Sequence, residues 1–422
     1  MLIKQANIRG REGTWDIRIT DGKFQSIAAT LEATVGEEII DCQGAMVIPP
    51  YVDSHCHLDY VGTYGDPEFN MSGTLFEGIR IWGERKKTIT KEDVKRRSKH
   101  VLDWEIAHGT QFIRTHVNCD EPGLVSTEAL LEVKEEMKDL IDVQIVAFPQ
   151  HGMYNFPQGD QLIEECVKMG VDAVGAIPHY EDTREDSVAS LIRCFDLAEK
   201  YDKLVDVHCD ETDDDQSRSI EVVAAQAWKR GMLSRVTASH TCAMGSYNNA
   251  YAFKLMGLLQ RSQINIISNA TINIHLQGRY DSYPKRRGIT RVDELLANGI
   301  NVSMGCDDIM DPFYPLGAGN MLEVLQMGIH VSHLTGYQQM LDSLDLITCN
   351  GARTLNRQDV YGIEEGKPAN LLIIPVTNVY DLLRRQVKPT YSIRNGQVIV
   401  RRKPEEVTVF GADQARNVDY TI

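Results

Sequence analysis

The sequence predicts an α/β fold: a (β/α)8 barrel of the TIM type with a small β-sandwich domain formed from both chain termini. Three observations lead to this prediction. Apolar, β-branched runs of strand length recur through the middle of the chain, and longer stretches with helical periodicity separate them. Both ends contain short strands with turn signals between them. The length of 422 residues suits one closed barrel with a small additional domain.

The two terminal segments contain similar strand and turn patterns. In the first, Asp21-Gly22 lies between two strand-like runs and predicts a hairpin. In the last, Asn395-Gly396 predicts another hairpin. Because these segments flank one long middle region, we expect them to assemble into one domain. The predicted boundaries are residues 1–46 and 368–422 for the small β-sandwich domain and residues 47–367 for the barrel.

The middle region supplies eight runs of strand type, the number that a (β/α)8 barrel requires. The first, over residues 47–55, leads into a pair of histidines, and the others lie at residues 111–117, 143–148, 173–177, 204–208, 235–240, 264–268 and 300–305. Nearly continuous apolar runs are typical of parallel strands covered by helices on both faces. A doubly wound sheet would instead carry a glycine-rich phosphate turn after its first strand, and the sequence has none there.

The charge and the cysteine content exclude several kinds of partner and environment. The formal net charge is −16 and no basic patch offsets it, which argues against nucleic acid or an anionic membrane as partner. Nine cysteines without framework spacing indicate reduced thiols. The first residues lack the apolar core of a signal peptide, and no run approaches the length of a membrane span. We therefore expect a cytoplasmic protein.

Residues that can bind a metal follow the ends of several predicted strands. His55 and His57 are two residues apart in an extended segment, so their side chains point to the same face. His208 and Asp307 lie at the ends of two other strands, and in a barrel the carboxyl ends of all strands meet at the active site. Three imidazoles and one carboxylate suit Zn(II) or Fe(II), with room for a water whose pKa falls to about 7. The sequence therefore predicts a hydrolytic metal site.

The motifs of the chain resemble those of the amidohydrolase superfamily, and within it those of the bacterial cytosine deaminases. The resemblance covers nearly the whole chain. Its most specific motifs are His-x-His-Leu-Asp at 55–59, Arg-Thr-His-Val at 114–117, Val-Ala-Phe-Pro-Gln at 146–150, Asp-Val-His-Cys-Asp-Glu at 206–211, Thr-Ala-Ser-His-Thr at 237–241 and Asp-Asp-x-x-Asp-Pro at 307–312. The zinc nucleobase deaminases of a different fold carry a Pro-Cys-x-x-Cys motif, which this chain lacks.

The resemblance implies a role for each polar residue at the strand ends. His240 would help to activate the water, Asp307 would take the proton of the water to the leaving amine, and Glu211 would protonate a ring nitrogen. The side-chain amide of Gln150 would pair with the amide-like edge of a pyrimidine. Dinuclear members of the superfamily add a carbamylated lysine after the fourth strand. Residues 176–179 contain no lysine, so we expect one divalent ion, Fe(II) or Zn(II).

Two positions depart from the cytosine deaminase pattern. Cys306 replaces a histidine before the paired aspartates, and Phe313 replaces a tryptophan. The smaller ring of Phe313 leaves space for a different substrate ring or for a ring substituent. Asp308 has two open interpretations: it borders the C5 side of the substrate ring, or it orients Asp307 and its loop. We expect Gln150, Asp308 and Phe313 to contact the substrate.

The expected activity is the metal-dependent hydrolysis of cytosine to uracil and ammonia, as in pyrimidine salvage. The alternative is the same chemistry on another cyclic amidine, namely 5-methylcytosine, isocytosine, isoguanine or creatinine. A more remote alternative is a non-catalytic barrel protein with a role in assembly. Such relatives typically lose metal ligands, whereas this chain keeps every one of them. The resemblance also implies a homo-oligomer.

Overall fold

The structure is a computed structural model that describes residues 1–121, 123–410 and 415–420. The chain divides into two compact units. The first contains Met1–Pro50, Ile106–Gly109 and the segment from Gln358 onward, and the second contains Tyr51–Glu105 and Thr110–Arg357. Residues 411–414, 421 and 422 of the predicted terminal domain lie outside the described residues. Among the helices described, none has the length and apolar character needed to cross a bilayer.

The regular elements are β-strands and α-helices, numbered in chain order. The strands are β1 (Leu2–Ile8), β2 (Trp15–Thr20), β3 (Lys23–Ala28), β4 (Ile39–Asp41), β5 (Met46–Ile48), β6 (Tyr51–Cys56), β7 (Thr110–Asn118), β8 (Asp142–Phe148), β9 (Ala173–Ala176), β10 (Leu204–Cys209), β11 (Val236–His240), β12 (Asn265–Ser268), β13 (Val302–Met304), β14 (Leu371–Ile374), β15 (Tyr391–Arg394), β16 (Gln397–Arg401), β17 (Thr408–Phe410) and β18 (Ala415–Asn417). The α-helices are α1 (Leu75–Arg85), α2 (Lys91–His108), α3 (Val125–Met137), α4 (Gly159–Met169), α5 (Arg184–Tyr201), α6 (Ser219–Arg230), α7 (Asn249–Ser262), α8 (Ala270–Leu276), α9 (Val292–Ala297), α10 (Met321–Val331), α11 (Tyr337–Asp342), α12 (Cys349–Thr354) and α13 (Val379–Arg385).

The barrel unit is built on a sheet of eight strands, β6 to β13, in which each strand runs parallel to its neighbours. The first and last strands meet through two backbone hydrogen bonds. Asp307 N–H donates to the His55 carbonyl (2.8 Å), and His57 N–H donates to the Asp307 carbonyl (3.0 Å). Since helices connect the successive strands, the predicted (β/α)8 barrel is confirmed.

The terminal unit is built on a second sheet to which both ends of the chain contribute. Its strand order is β16-β15-β14-β5-β1-β2-β3, with β4 paired to β1. Both predicted hairpins are present, since β2 pairs antiparallel with β3 and β15 with β16. Ile3 and Phe24 from the first segment share one core with Leu371 and Ile393 from the last. The expected small sheet domain from the two termini is therefore confirmed.

The predicted first barrel strand, over residues 47–55, is wrong at its beginning. Val47 and Ile48 belong to β5, which pairs with β1 and β14 in the terminal sheet. The barrel strand β6 begins only at Tyr51. Pro49 and Pro50 separate the two strands, because proline has no N–H to donate to a ladder. One continuous apolar run therefore supplies strands to two different sheets.

Candidate active site

The four predicted metal ligands meet at the carboxyl ends of the barrel strands. His55 lies in β6 and His57 directly after it, His208 lies in β10, and Asp307 follows β13. Their ligand atoms all lie within 4.8 Å of one another. Asp307 Oδ1 is 3.3 Å from His55 Nε2 and 3.5 Å from His57 Nε2. The Nε2 atoms of His57 and His208 are 3.1 Å apart.

The surroundings of this cluster fit a divalent cation. All four side chains are buried. Burial lowers the pKa of His55, His57 and His208 well below the ordinary value for histidine. The rings are therefore neutral, which is the form that binds metals. Nitrogen and oxygen ligands about 2.1 Å from one ion in tetrahedral geometry lie roughly 3.4 Å apart, close to the spacing of these atoms.

A chain of hydrogen bonds behind His55 fixes the orientation of its ring. Ser239 Oγ donates to Asp206 Oδ1 (2.7 Å), so it accepts from His55 Nδ1 (3.0 Å) and leaves the Nε2 lone pair for a metal. Asp206 in turn accepts from Arg114 Nη1 (2.8 Å). Burial alone would raise the pKa of Asp206, but the neighbouring His116 and Arg114 lower it below the ordinary carboxyl range. Asp206 is therefore a fixed negative charge.

Glu211, His240 and Asp307 form a second group beside the metal ligands. His240 Nδ1 is 3.4 Å from Glu211 Oε1 and 3.6 Å from Asp307 Oδ2. Burial and then the charge of Asp307 raise the pKa of Glu211 well above the ordinary value for glutamate. A raised pKa favours the protonated form of the carboxyl, which is the form that can donate a proton to a ligand. Asn273 Nδ2 donates to Glu211 Oε1 (3.1 Å), and Asn269 Nδ2 donates to Asp307 Oδ2 (3.1 Å).

His240 and Asp307 both have a left-handed backbone, with φ of +67° and +66°. Side chains larger than glycine rarely adopt this conformation, and each instance costs about 1–3 kcal/mol. At Asp307 it is held by the two hydrogen bonds that join β6 to the end of β13. Burial lowers the pKa of His240 to about 3, so its ring is also neutral. Backbone strain at the ends of two barrel strands that both carry site residues is typical of a functional site.

A cavity of about 120 Å³ opens directly above these groups. Its lining includes His57, His208, Glu211, His240 and Asp307 together with Gln150, Asp308 and Phe313. The structure therefore brings all the predicted site residues together. His55 is the one that does not line the cavity, because its buried ring lies behind the other ligands. Leu75 and Ile79, from the beginning of α1, make part of the wall apolar.

Gln150 lies on one side of the cavity and contacts Tyr60, which was not predicted as a site residue. The Tyr60 hydroxyl donates to Gln150 Oε1 (3.0 Å). Burial, with a smaller contribution from Asp59, raises the pKa of Tyr60 well above the ordinary value for tyrosine, so the hydroxyl keeps its proton. The Tyr60 ring stacks on His57, with ring centres 4.7 Å apart. A tyrosine three residues after a metal-binding histidine was the available sequence signal.

Asp308 and Phe313 reach the cavity from the loop that follows β13. Burial, and then the charges of Asp311 and Asp307, raise the pKa of Asp308 well above the ordinary value. The Phe313 ring packs so closely on α1 that a Cβ atom at Gly78 would lie 2.7 Å from it. Phe313 N–H also donates to Asp311 Oδ1 (2.9 Å). Both residues line the same cavity as the metal ligands.

Comparison with known proteins decides the family. Residues 38–400 match the family model described as "Amidohydrolase family". The chain belongs to the amidohydrolase family. It is therefore an enzyme of the amidohydrolase superfamily, whose members use a divalent metal, and the His and Asp cluster is where such a metal can bind.

Three relatives of this amidohydrolase are informative. The 5-methylcytosine deaminase from Klebsiella pneumoniae, liganded with 5-fluorocytosine, is 50% identical, with a TM-score of 0.94 over 96% of this chain and 99% of that chain. The N-isopropylammelide isopropyl amidohydrolase of Pseudomonas sp. (strain ADP) is 30% identical over 95% of this chain and 97% of its own length. The pterin deaminase of Rhizobium rhizogenes is 29% identical over 94% of this chain and 91% of its own length. Each similarity extends over both units of the chain.

The amidohydrolase site contains supporting residues that the sequence alone did not reveal. Asp206 is two residues before His208 and so shares its face of β10, and Ser239 directly precedes His240 at the end of β11. Their closeness to predicted site residues was the signal available for them, but it does not tell which of several polar residues contact a ligand. Asp59, the last residue of the His-x-His-Leu-Asp motif, has a structural contact: its Oδ2 accepts from the backbone N–H of Asn118 (2.9 Å).

Proposed function

We propose that this amidohydrolase hydrolyses 5-methylcytosine to thymine and ammonia. The sequence favoured cytosine and left 5-methylcytosine among the alternatives, and we now reverse that order. The observation that carries the deamination chemistry is a buried carboxyl with a raised pKa, that of Glu211, beside a cluster of metal ligands in one small cavity. The choice of ring is supported by the 50% identity to a 5-methylcytosine deaminase over 96% of this chain.

Glu211 and Asp307 transfer protons in the proposed reaction, and His240 orients the water. A divalent ion held by His55, His57, His208 and Asp307 would lower the pKa of a water so that it attacks at neutral pH. Glu211 donates its proton to the ring nitrogen next to the carbon under attack, which neutralises the charge that develops there. His240, neutral and 3.6 Å from Asp307 Oδ2, orients the attacking water. Asp307 carries one proton of the water to the amine, which leaves as ammonia, and Glu211 regains its proton from the hydroxyl that becomes the new oxo group.

The lining of the cavity favours a ring with an apolar substituent. Leu75, Ile79 and Phe313 offer an apolar wall for a methyl group, and burial of one such group contributes about 0.8 kcal/mol. Gln150 is proposed to bind the oxo group at C2, and Asp308 is proposed to border the C5 side of the ring.

The proposed metal centre contains one ion, Fe(II) or Zn(II), because the end of β9 offers no lysine for a second. Residues 176–179, which follow the fourth barrel strand, are Ala-Ile-Pro-His. Metal analysis of protein purified without chelators tests this proposal, and we expect one equivalent per chain. Two equivalents would contradict it, and a metal-free protein that gains no activity with added Fe(II) or Zn(II) would favour a non-catalytic barrel.

A substrate panel tests the proposed activity. Ammonia release is measured from metal-loaded protein with 5-methylcytosine, cytosine, isocytosine, isoguanine and creatinine. We expect the highest kcat/KM for 5-methylcytosine, with cytosine second, because the same polar groups contact both rings and only the methyl contact differs. Faster turnover of cytosine would restore the activity first expected from the sequence. Activity on creatinine or isoguanine alone would contradict both assignments of the ring.

Two expectations from the sequence are kept as proposals. We propose a homo-oligomer, which size-exclusion chromatography with light scattering tests directly, and a monomer at micromolar concentration would contradict it. The domain boundaries expected at residues 46/47 and 367/368 also stay predictions, although the division into compact units falls after Pro50 and after Arg357. Cleavage by limited proteolysis at Pro49–Tyr51 would move the first boundary to the proline pair that separates β5 from β6.

A further inference from the structure

Tyr60 is a closely packed side chain in the lining of the cavity. It lies in the turn after β6, where its N–H donates to the His57 carbonyl (2.9 Å), and only 1% of the residue is exposed. Its ring stacks on His57 on one side and lies nearly parallel to Phe313 on the other, with ring centres 4.7 Å and 5.7 Å away. Trp82 packs against it at 4.1 Å. The hydroxyl therefore has a fixed position.

The hydroxyl of Tyr60 has one acceptor within reach in the described chain, Gln150 Oε1, at 3.0 Å. The two ends of a glutamine amide have nearly the same shape, so hydrogen bonding decides which end faces Tyr60. If Nε2 faced it, the phenol proton would be buried without an acceptor, which costs roughly 1–3 kcal/mol. The amide is therefore turned so that its oxygen faces Tyr60.

The other end of the amide is then left for a ligand. Gln150 lines the cavity, and no described residue accepts a hydrogen bond from its Nε2. An amide NH2 group has only donors, so it pairs with an oxo group and not with an amino group. Because this donor lies on the cavity wall, it can distinguish a ligand with an oxo group from a ligand with an amino group.

We propose that Tyr60 is a positioning residue that fixes the orientation of the Gln150 amide and so makes the enzyme select rings with an oxo group, rather than an amino group, next to the protonated ring nitrogen. This inference rests on the proposed pyrimidine deaminase function. 5-Methylcytosine carries such an oxo group at C2. Its analogue 2,4-diamino-5-methylpyrimidine carries an amino group there, which would place two donors against each other. Binding sites that leave buried polar groups unpaired reject such ligands strongly.

The test compares these two compounds with wild type, Tyr60→Phe and Gln150→Glu, using ammonia release and competitive inhibition. Wild type should prefer 5-methylcytosine at least about a hundredfold in kcat/KM. Tyr60→Phe lets the amide turn over, so the preference should fall about tenfold through KM, while kcat and metal content stay within about twofold. Gln150→Glu replaces the donor by an acceptor and should reverse the preference.

A second buried tyrosine provides the matched control. Tyr361 lies in the terminal unit, and its hydroxyl donates to the Pro50 carbonyl (2.5 Å). Tyr361→Phe should lower stability and leave the preference unchanged. An unchanged preference in Tyr60→Phe would overturn the role of Tyr60 and leave the proposed function intact. If Tyr60→Phe does not fold, a Gln150→Glu variant that still prefers 5-methylcytosine overturns the inference. A wild type inactive on both 5-methylcytosine and cytosine would refute the proposed function and this inference together.

Discussion

Glu211 is the residue on which the proposed proton transfer depends. It is buried next to Asp307, and both the burial and that charge raise its pKa, so it enters the reaction as an acid. Its nearest described contacts, Asn273 and His240, are neutral groups that stabilise it without removing the proton. A carboxyl outside the metal ligands thus has its own function, which substitution can separate from metal binding.

Glu211→Gln should keep the metal and lose most of the turnover. The amide fits the same space and still contacts Asn273, but it has no acidic proton to give, so kcat should fall by about 10²–10⁴. Metal analysis and steady-state kinetics measure the two effects. His208→Asn is the matched control, in which metal content should fall. Loss of metal from Glu211→Gln would show that Glu211 is a ligand and that its assignment as the acid is wrong.

For individual residues, the sequence predicted the site residues at strand ends and missed Tyr60. Histidines and acids at the ends of barrel strands share one location by geometry, so their position in the chain is enough to group them. Tyr60 lies in a turn, and the direction of its ring depends on Trp82 and Phe313. Contacts between a turn and residues far along the chain leave no periodic pattern in the sequence.

The strand β11 contributes two residues to the site. His240 lies at its end, and Ser239 accepts the hydrogen bond that orients the His55 ring. Ser239→Ala removes the acceptor of His55 Nδ1–H, so both ring tautomers become available and metal affinity should fall about 10–100-fold. Competition with a chromophoric chelator measures the change. Ser268→Ala is the control: this serine, at the end of β12, is buried and its hydroxyl has no hydrogen-bond partner in the described chain. Equal affinities for both variants would contradict the supporting role of Ser239.

The helix α2 contains a buried acid that should make stability depend on pH. Burial raises the pKa of Glu105 to about 7, above the roughly 4.3 of the unfolded chain. The folded state therefore binds a proton that the unfolded state has released between these values. The stabilisation from this group is complete below pH about 4 and is lost as the pH rises to about 7.

Glu105→Gln should remove this dependence. Relative to wild type, the variant should gain about 1–3 kcal/mol in free energy of unfolding between pH 5 and pH 8. Urea denaturation of metal-loaded protein at several pH values measures the difference. Glu92→Gln, at an exposed position of the same helix, should follow the wild-type curve. Parallel curves for wild type and Glu105→Gln would contradict the burial argument.

The elements themselves were largely predictable because each has one dominant pattern. The barrel strands are buried on both faces, as β8 is along nearly its whole length, and the helices between them show an apolar stripe. The beginning of β6 was not predictable from hydrophobicity, because the run that includes β5 continues through Pro49 and Pro50. Two prolines in an apolar run were the signal that one strand ends there and another begins.

For the whole molecule, the metal site connects distant parts of the chain. Its four ligands are spread between residues 55 and 307 and lie at the ends of three barrel strands, β6, β10 and β13. Two of these strands, β6 and β13, are also the strands that close the sheet. Without an ion, three neutral imidazoles and a carboxylate remain buried against one another, with the Nε2 atoms of His57 and His208 only 3.1 Å apart. Binding of an ion to the folded state alone must therefore stabilise the barrel.

Removal of the metal should lower the melting temperature of wild type by about 5–10 °C. An ion present at about a thousand times its Kd contributes about 4 kcal/mol, which for a unit of this size corresponds to shifts of this order. Calorimetry with and without a chelator measures the shift, and added Zn(II) or Fe(II) should reverse it. His208→Asn should melt at one temperature under both conditions, whereas Glu211→Gln should keep the full shift. A wild type that loses activity with the chelator but not thermal stability would contradict a metal bound by the strands that close the barrel.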